Sequence, residues 1–247
     1  MKKTYNHILL LCMMALCLLP SCTGNTEMDR YGWLQIARPL NDTLLHTRAT
    51  AEYEIDYIVS ITQGGEIVMS PTRFSTIDGS IPLSAATGYT LFAESCSPDE
   101  AESLPTVYGQ PRYVGTEGFD IIANTSTDVT VHCAMVNAAF KVLKDTSFYY
   151  TSFTVTASCN GRSLTFTNDG VTGYFNVTAG ETATLQYEIV ATDAEGNTGN
   201  ASGSLLLKPR NLSKLTLKAN APGNIELTVN YDDTFTPHVT EIILQEE

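Results

Sequence analysis

Positive charge is scarce in this sequence. Across 247 residues, 14 lysines and arginines stand against 27 aspartates and glutamates. Such a surface repels nucleic acid, whose binders gather Lys and Arg on one face, so no nucleic-acid partner is expected. Histidines number four, at positions 7, 46, 132 and 238, and none has HExxH spacing. No GxSxG elbow, Walker loop or GxGxxG turn occurs. The six cysteines include no CxxC pair, which excludes a zinc knuckle by spacing. No apolar run approaches the roughly 20 residues of a membrane-spanning helix. The run from Ile8 to Leu19 has 12. Neither an enzyme nor a cofactor or metal protein is therefore expected.

The N-terminus carries what these absences leave room for. Lys2 and Lys3 precede the run Ile8–Leu19, which leads into Leu19-Pro20-Ser21-Cys22. This segment resembles the lipobox of bacterial lipoproteins, where a thiol takes a diacylglyceryl thioether and a small residue before it fits the peptidase. Cys12 and Cys17 each follow a leucine and do not fit. Residues 1–21 are read as a signal peptide, Cys22 as the lipidated residue, and 22–31 as a tether. Two or more acyl chains on Cys22 would hold the protein to a membrane, each buried methylene contributing about 0.8 kcal/mol. Glu27 and Asp29 resemble the acidic signals that follow the cysteine in some Bacteroidetes lipoproteins sent outward. The expected location is the outer membrane, at the cell surface. Without Lys2 and Lys3, 12 cationic residues remain against 27 acidic ones, a net charge of −15. Acidity of this size keeps a surface protein soluble without any ligand.

Beyond the tether, period-2 alternation dominates and predicts an all-β chain. Tyr53, Ile55, Tyr57, Val59 and Ile61 form the clearest inward row, followed by a Gln63-Gly64-Gly65-Glu66 turn. Tyr89, Leu91 and Ala93 form another, and Val129, Val131, Cys133 and Met135 are read as one strand running to Val136. Phe153, Val155 and Ala157 lead to Asn160-Gly161, a strong hairpin signal, and then to Leu164 and Phe166. Leu185 to Ala191, Leu215 with Leu217, Ile225 to Tyr231 and Ile242-Ile243-Leu244 complete the strands. No segment sustains a helical period. Short strands with frequent turns predict two tandem β-sandwiches of transthyretin-like or immunoglobulin-like type, over 32–137 and 138–247. A faint echo relates them: Ile81-Pro82-Leu83-Ser84-Ala85 against Phe175-Asn176-Val177-Thr178-Ala179.

Few residues suggest chemistry. The carboxylates fall mostly on the exposed half of alternating strands and read as a solvated face. Asp193, Glu195 and Asn197 alternate like calcium ligands, but Gly196 is misplaced for an EF-hand and Ser204 stands where its glutamate belongs, so a hairpin turn is expected. Cys96, Cys133 and Cys159 are expected as buried free thiols. Phe148-Tyr149-Tyr150 and Tyr31 with Trp33 could stack on sugar rings, although alternation is expected to turn one member of each group inward.

The order of these features resembles the fimbrillin-like lipoproteins of the Bacteroidetes, in a subgroup known only as a domain of unknown function. It is carried by the Cys22 lipobox and Gly32-Trp33-Leu34-Gln35-Ile36, then by Thr47-Arg48-Ala49 and Glu54–Ile61. Gly88-Tyr89-Thr90-Leu91-Phe92-Ala93, Tyr113-Val114-Gly115 and Val129-Thr130-Val131-His132-Cys133 complete it. The resemblance implies a fimbrial or adhesin-type component that assembles by β-strand exchange with other subunits. It places proteolytic maturation at Arg48 and makes Trp33, Leu34, Gln35, Ile36 and Ala37 the displaced strand. The C-terminus departs from the pattern, being short and ending in Glu246-Glu247. That departure favours an accessory, anchor or stand-alone role. The alternative is a surface lipoprotein that binds a glycan or other ligand.

Overall fold

The alternating segments become strands in the computed structural model, which describes residues 30–41, 55–221, 224–232 and 240–242, with side chains for 30–39 and 55–219. The first half supplies a three-stranded sheet in the order β5 (Ile81–Ser84), β1 (Tyr31–Ile36), β8 (Ser126–Val129). Its companion has six strands, β2 (Leu40–Asn41), β9 (His132–Met135), β7 (Tyr113–Ile121), β6 (Ala86–Glu94), β3 (Ile58–Gln63) and β4 (Glu66–Arg73). The second half pairs β12 (Arg162–Phe166), β11 (Ser152–Cys159), β14 (Ala183–Thr192) and β15 (Thr198–Leu207) in one sheet. The other runs β13 (Thr172–Phe175), β10 (Ala138–Lys144), β16 (Leu212–Ala221), β17 (Asn224–Asp232), β18 (Thr240–Ile242). The fold is thus all-β, with sheets packed as sandwiches.

Inward-facing residues collect into two buried clusters. Leu34, Val59, Ile61, Leu91, Val131 and Cys133 belong to one, and Phe140, Val155, Phe166, Leu185, Leu215 and Leu217 to the other. Each fully buried aliphatic side chain contributes about 1.5–3 kcal/mol, so these rows dominate stability.

The two halves repeat one topology. Strand β1 runs antiparallel to β5 and parallel to β8, and β10 runs antiparallel to β13 and parallel to β16. The order β4-β3-β6-β7 recurs as β12-β11-β14-β15. The sequence echo is out of register with this correspondence, since Ile81–Ser84 forms β5 whereas of Phe175–Ala179 only Phe175 lies in β13.

Some expectations shift. The segment Val129–Val136 is two strands, because the chain leaves the three-stranded sheet after Val129 and joins the six-stranded one at His132. Val129, Val131, Cys133 and Met135 remain buried through the switch, so the alternation gave no sign of it. Strand β3 begins at Ile58, although Tyr57 already faces the core at 2 % exposure. Ile242 closes β18, and Ile243 and Leu244 lie outside the described residues. One short helix, α1 (Pro98–Ser103), was not foreseen. A capping box holds its start: the Ser97 hydroxyl accepts from the Glu100 N–H at 3.3 Å, and the Ser97 N–H donates to the Glu100 carboxylate at 2.8 Å. The hairpin turns behave as read. Gly64 and Gly65 have φ of 57° and 90°, and Asn160 and Gly161 have 50° and 81°, the left-handed pair that a tight type I′ turn needs.

Candidate functional site

Strand β1 is where the sequence reading concentrated its site, and it holds the middle of its sheet. Leu34 and Gly32 point into the core, and Leu34 is fully buried. Gly32 is required by close approach. A Cβ there would collide with the carbonyl oxygen of Ile122 and lie 2.8 Å from Ile121 Cγ2. Backbone bonds tie the strand beyond its ladder: Trp33 N–H donates to Thr125 O at 2.9 Å, Asn124 N–H to Tyr31 O at 2.9 Å, and Ala37 N–H to Val129 O at 2.9 Å. Of the five residues expected on the displaced strand, Trp33 to Ile36 lie in β1, and Ala37 follows it with that one bond. Arg48 and Cys22 lie outside the described residues.

The aromatic groups do not divide one in, one out. Tyr31 and Trp33 are both exposed, at 46 % and 39 %, because a two-residue spacing puts both on the same face. In the other group Phe148 and Tyr150 are buried and only Tyr149 is exposed. Phe148 packs edge-on to Phe153, with ring centroids 6.1 Å apart, so most of this group is core.

The hairpin 193–197 is a turn held by its own aspartate. Asp193 accepts from the N–H groups of Asn197 and Glu195, at 2.8 and 3.0 Å, and from the Asn197 amide at 2.9 Å. Both of its oxygens are thereby occupied by N–H donors. Among the described residues, no three His, Cys, Asp or Glu side chains come together. Cys96, Cys133 and Cys159 are buried and free. Burial pushes the Cys133 thiol up to about 11, and raises Cys96 and Cys159 as well.

Sequence reasoning missed the joint between the halves. Arg162 opens β12 beside the Asn160-Gly161 turn, and its guanidinium donates to the carbonyl of Glu102 and, at 2.7 Å, to that of Val107. The Glu102 carboxylate accepts from Asn176 N–H at 2.7 Å, and the Asn176 amide donates to Pro98 O at 2.9 Å. Tyr108 donates its hydroxyl to Thr165 O at 2.9 Å. Helix α1 and the segment after it are thereby strapped to β12 and β13. Asn137, nearly fully buried at 1 %, accepts from Arg112 N–H at 3.0 Å and donates to Gln110 O at 2.8 Å. The one legible trace of this joint was Ser97-Pro98-Asp99-Glu100, a capping-box pattern that marks where α1 starts.

These ionisable groups set an expected pH profile. Hydrogen bonds from Ser75, Ser97, Ser147 and Asn197 hold Asp56, Glu100, Asp145 and Asp193 below the usual carboxylate range. A folded pKa below the unfolded one contributes stability above about pH 4 that is lost as pH falls. The buried thiols have the opposite sign. Their folded values lie above the unfolded value of about 8.5, so their contribution is present below that pH and lost as it rises. The melting temperature should therefore hold a plateau from about pH 5 to 8 and fall on both sides. Scanning fluorimetry from acid to alkali checks this, and a profile that is flat below pH 4 and above pH 9 contradicts it.

Comparison with known proteins sets this architecture in context. A candidate cell adhesion protein from Bacteroides eggerthii superposes with a TM-score of 0.45 at 11 % identity, covering 82 % of this chain and 95 % of its own. The fimbrial anchor protein Mfa2 from Porphyromonas gingivalis gives 0.42 at 13 % identity, covering 82 % and 97 %. No curated protein matches in sequence. A family model matches residues 32–246, and the chain belongs to the family described as Domain of unknown function (DUF4493).

Proposed function

We propose that the chain is a non-enzymatic surface lipoprotein of fimbrial or adhesin type, anchored through Cys22 and joined to other subunits by exchange of its first strand. In this reading residues 1–21 direct export, 32–137 and 138–247 form the two sandwiches, and cleavage at Arg48 frees the segment that carries β1. The observation that carries it is the position of β1. Its neighbours β5 and β8 both lie beyond Arg48 in the chain, so a cut there leaves β1 held by non-covalent contacts alone. Its loss would expose the facing backbone edges of β5 and β8 and the slot filled by Leu34. Two unpaired edges flanking an apolar slot are a template for an incoming strand. The edge strand β4 suits that role less. Strand β4 carries Pro71 and two register shifts against β3, and both features blunt pairing.

Expression of the full-length protein in a Bacteroidetes host tests the reading, with Arg48→Ala and the double variant Cys22→Ala/Arg48→Ala beside the wild type. Wild type should lose the lipid-bearing segment, show an N-terminus at Ala49, and run as a heat-resistant ladder. Arg48→Ala should stay uncut, monomeric and in the outer-membrane fraction, and the double variant should leave that fraction. An intact monomeric wild type sinks the exchange model, and a membrane-bound double variant sinks the anchor.

A further inference from the structure

The outward face of β1 carries groups that its counterpart lacks. Tyr31 and Trp33 stand side by side there, and Trp33 is the sole tryptophan of the chain. The topologically equivalent strand β10 places Ala139, Lys141 and Leu143 on the corresponding face. On β10 that face is partly covered, with Ala139 buried at 1 %, whereas on β1 Tyr31 and Trp33 remain 46 % and 39 % exposed.

We infer that this face binds a neutral oligosaccharide along its length. Residues i and i+2 of a strand lie about 6.8 Å apart on one face, so the two rings stand next to each other along it. The two rings thus offer successive sugars an apolar surface, on which the C–H faces of pyranoses pack. Pro82 lies directly opposite Trp33 on β5 and is exposed, which widens the apolar strip. On the other side Ser126 lies opposite Trp33 and Asp128 opposite Gln35, all exposed. They supply acceptors and donors for ring hydroxyls at the margin of the strip. Charge decides the class of glycan. Asp128 on the face and the net charge of −13 repel sulfated or uronate-rich chains and leave neutral ones. Size decides against a second copy of this chain. Half a dozen side chains on three short strands fall well short of the about 800 Å² per partner of a stable protein interface, and an acidic face meeting itself is repelled.

The inference goes beyond strand exchange and concerns the chain with Arg48 uncut, since the platform exists only while β1 is in place. Intrinsic fluorescence provides a local readout, because Trp33 is the only emitter of its kind. The purified full-length protein, in a non-glycosidic detergent, is titrated with cellohexaose, β-1,4-mannohexaose and laminarihexaose. At least one should give a saturable blue shift with a Kd of about 0.1–1 mM. Tyr31→Ala should weaken it at least tenfold. By calorimetry Trp33→Ala should abolish binding and Trp33→Phe should retain part of it, all at unchanged melting temperature. Tyr149→Ala should change nothing. The inference is overturned if no hexasaccharide gives a saturable shift, or if affinity survives Trp33→Ala. It is also overturned if dextran sulfate binds in preference to the neutral sugars, or if the emission shifts with protein concentration as dimers form.

Discussion

Replacing Arg162 with alanine is expected to lower the unfolding free energy by about 2–4 kcal/mol and to split a single melting transition into two. The guanidinium is the one cation in the joint that meets three kinds of partner at once. It donates to the backbone carbonyls of Glu102 and Val107, faces the Glu102 carboxylate at 3.8 Å, and lies 5.8 Å from the centre of the Phe175 ring. Its side chain is only 14 % exposed, so water does not replace what the substitution removes. The deletion leaves carbonyls and a carboxylate facing a void, and a buried acceptor left without its donor costs about 1–3 kcal/mol. Helix α1 then keeps the bonds of Asn176 and Tyr108 but loses the central strap. Arg162→Lys should fall between, because an ammonium cannot reach two carbonyls with a planar fork. Differential scanning calorimetry reads both the loss and the number of transitions. One undivided transition with a loss below about 0.5 kcal/mol would show the joint to be incidental.

Gly32→Ala should unseat β1, at a cost of about 2–3 kcal/mol, toward the upper end of what overpacking usually does. The added methyl would meet the Ile122 carbonyl and Ile121 Cγ2. A backbone carbonyl cannot swing aside as the end of a long side chain can, so relief must come from the strand lifting away. Lifting also surrenders the burial of Leu34 and the ladder bonds to β5 and β8. Hydrogen exchange should show the amides of Trp33, Ala37 and Asn124 losing protection, while those of β11 and β14 keep theirs. Uniform loss across both halves would mean that β1 is an inseparable part of the core, and the strand-exchange reading would lose its basis. Leu34→Ala, worth about 2–5 kcal/mol, tests the same seat from the side of the slot.

Inward rows were the most legible part of this chain. Tyr57, Val59 and Ile61, or Leu185, Tyr187 and Ile189, are buried where alternation placed them. Alternation reports only which face a residue takes and says nothing about which sheet carries that face. This is why the switch between β8 and β9 passed unseen while Val131 stayed in the core. The strand Gly32–Ile36 was legible, and its place between β5 and β8 was not, because pairing across the sheet leaves no mark on local pattern. Arg162 was illegible for a similar reason. Its partners Glu102 and Val107 are distant in sequence, and a lone arginine after a hairpin turn looks like any solvated loop residue. The shared face of Tyr31 and Trp33 was misread, since one of them was expected inward, although a spacing of two on a strand puts both on one side.

The pairing of β1 also has a consequence for the order of folding. Hairpins such as β3–β4 and β14–β15 close over short stretches of chain, whereas Trp33 meets Ser126 only after about ninety intervening residues have been made. Loop-closure entropy must be overcome before that contact returns anything, so distant pairings form late. As the chain emerges N-terminus first, β1 exists long before either of its neighbours does. The rest of the first sandwich can therefore assemble around a vacant lane, which β1 fills in a final step.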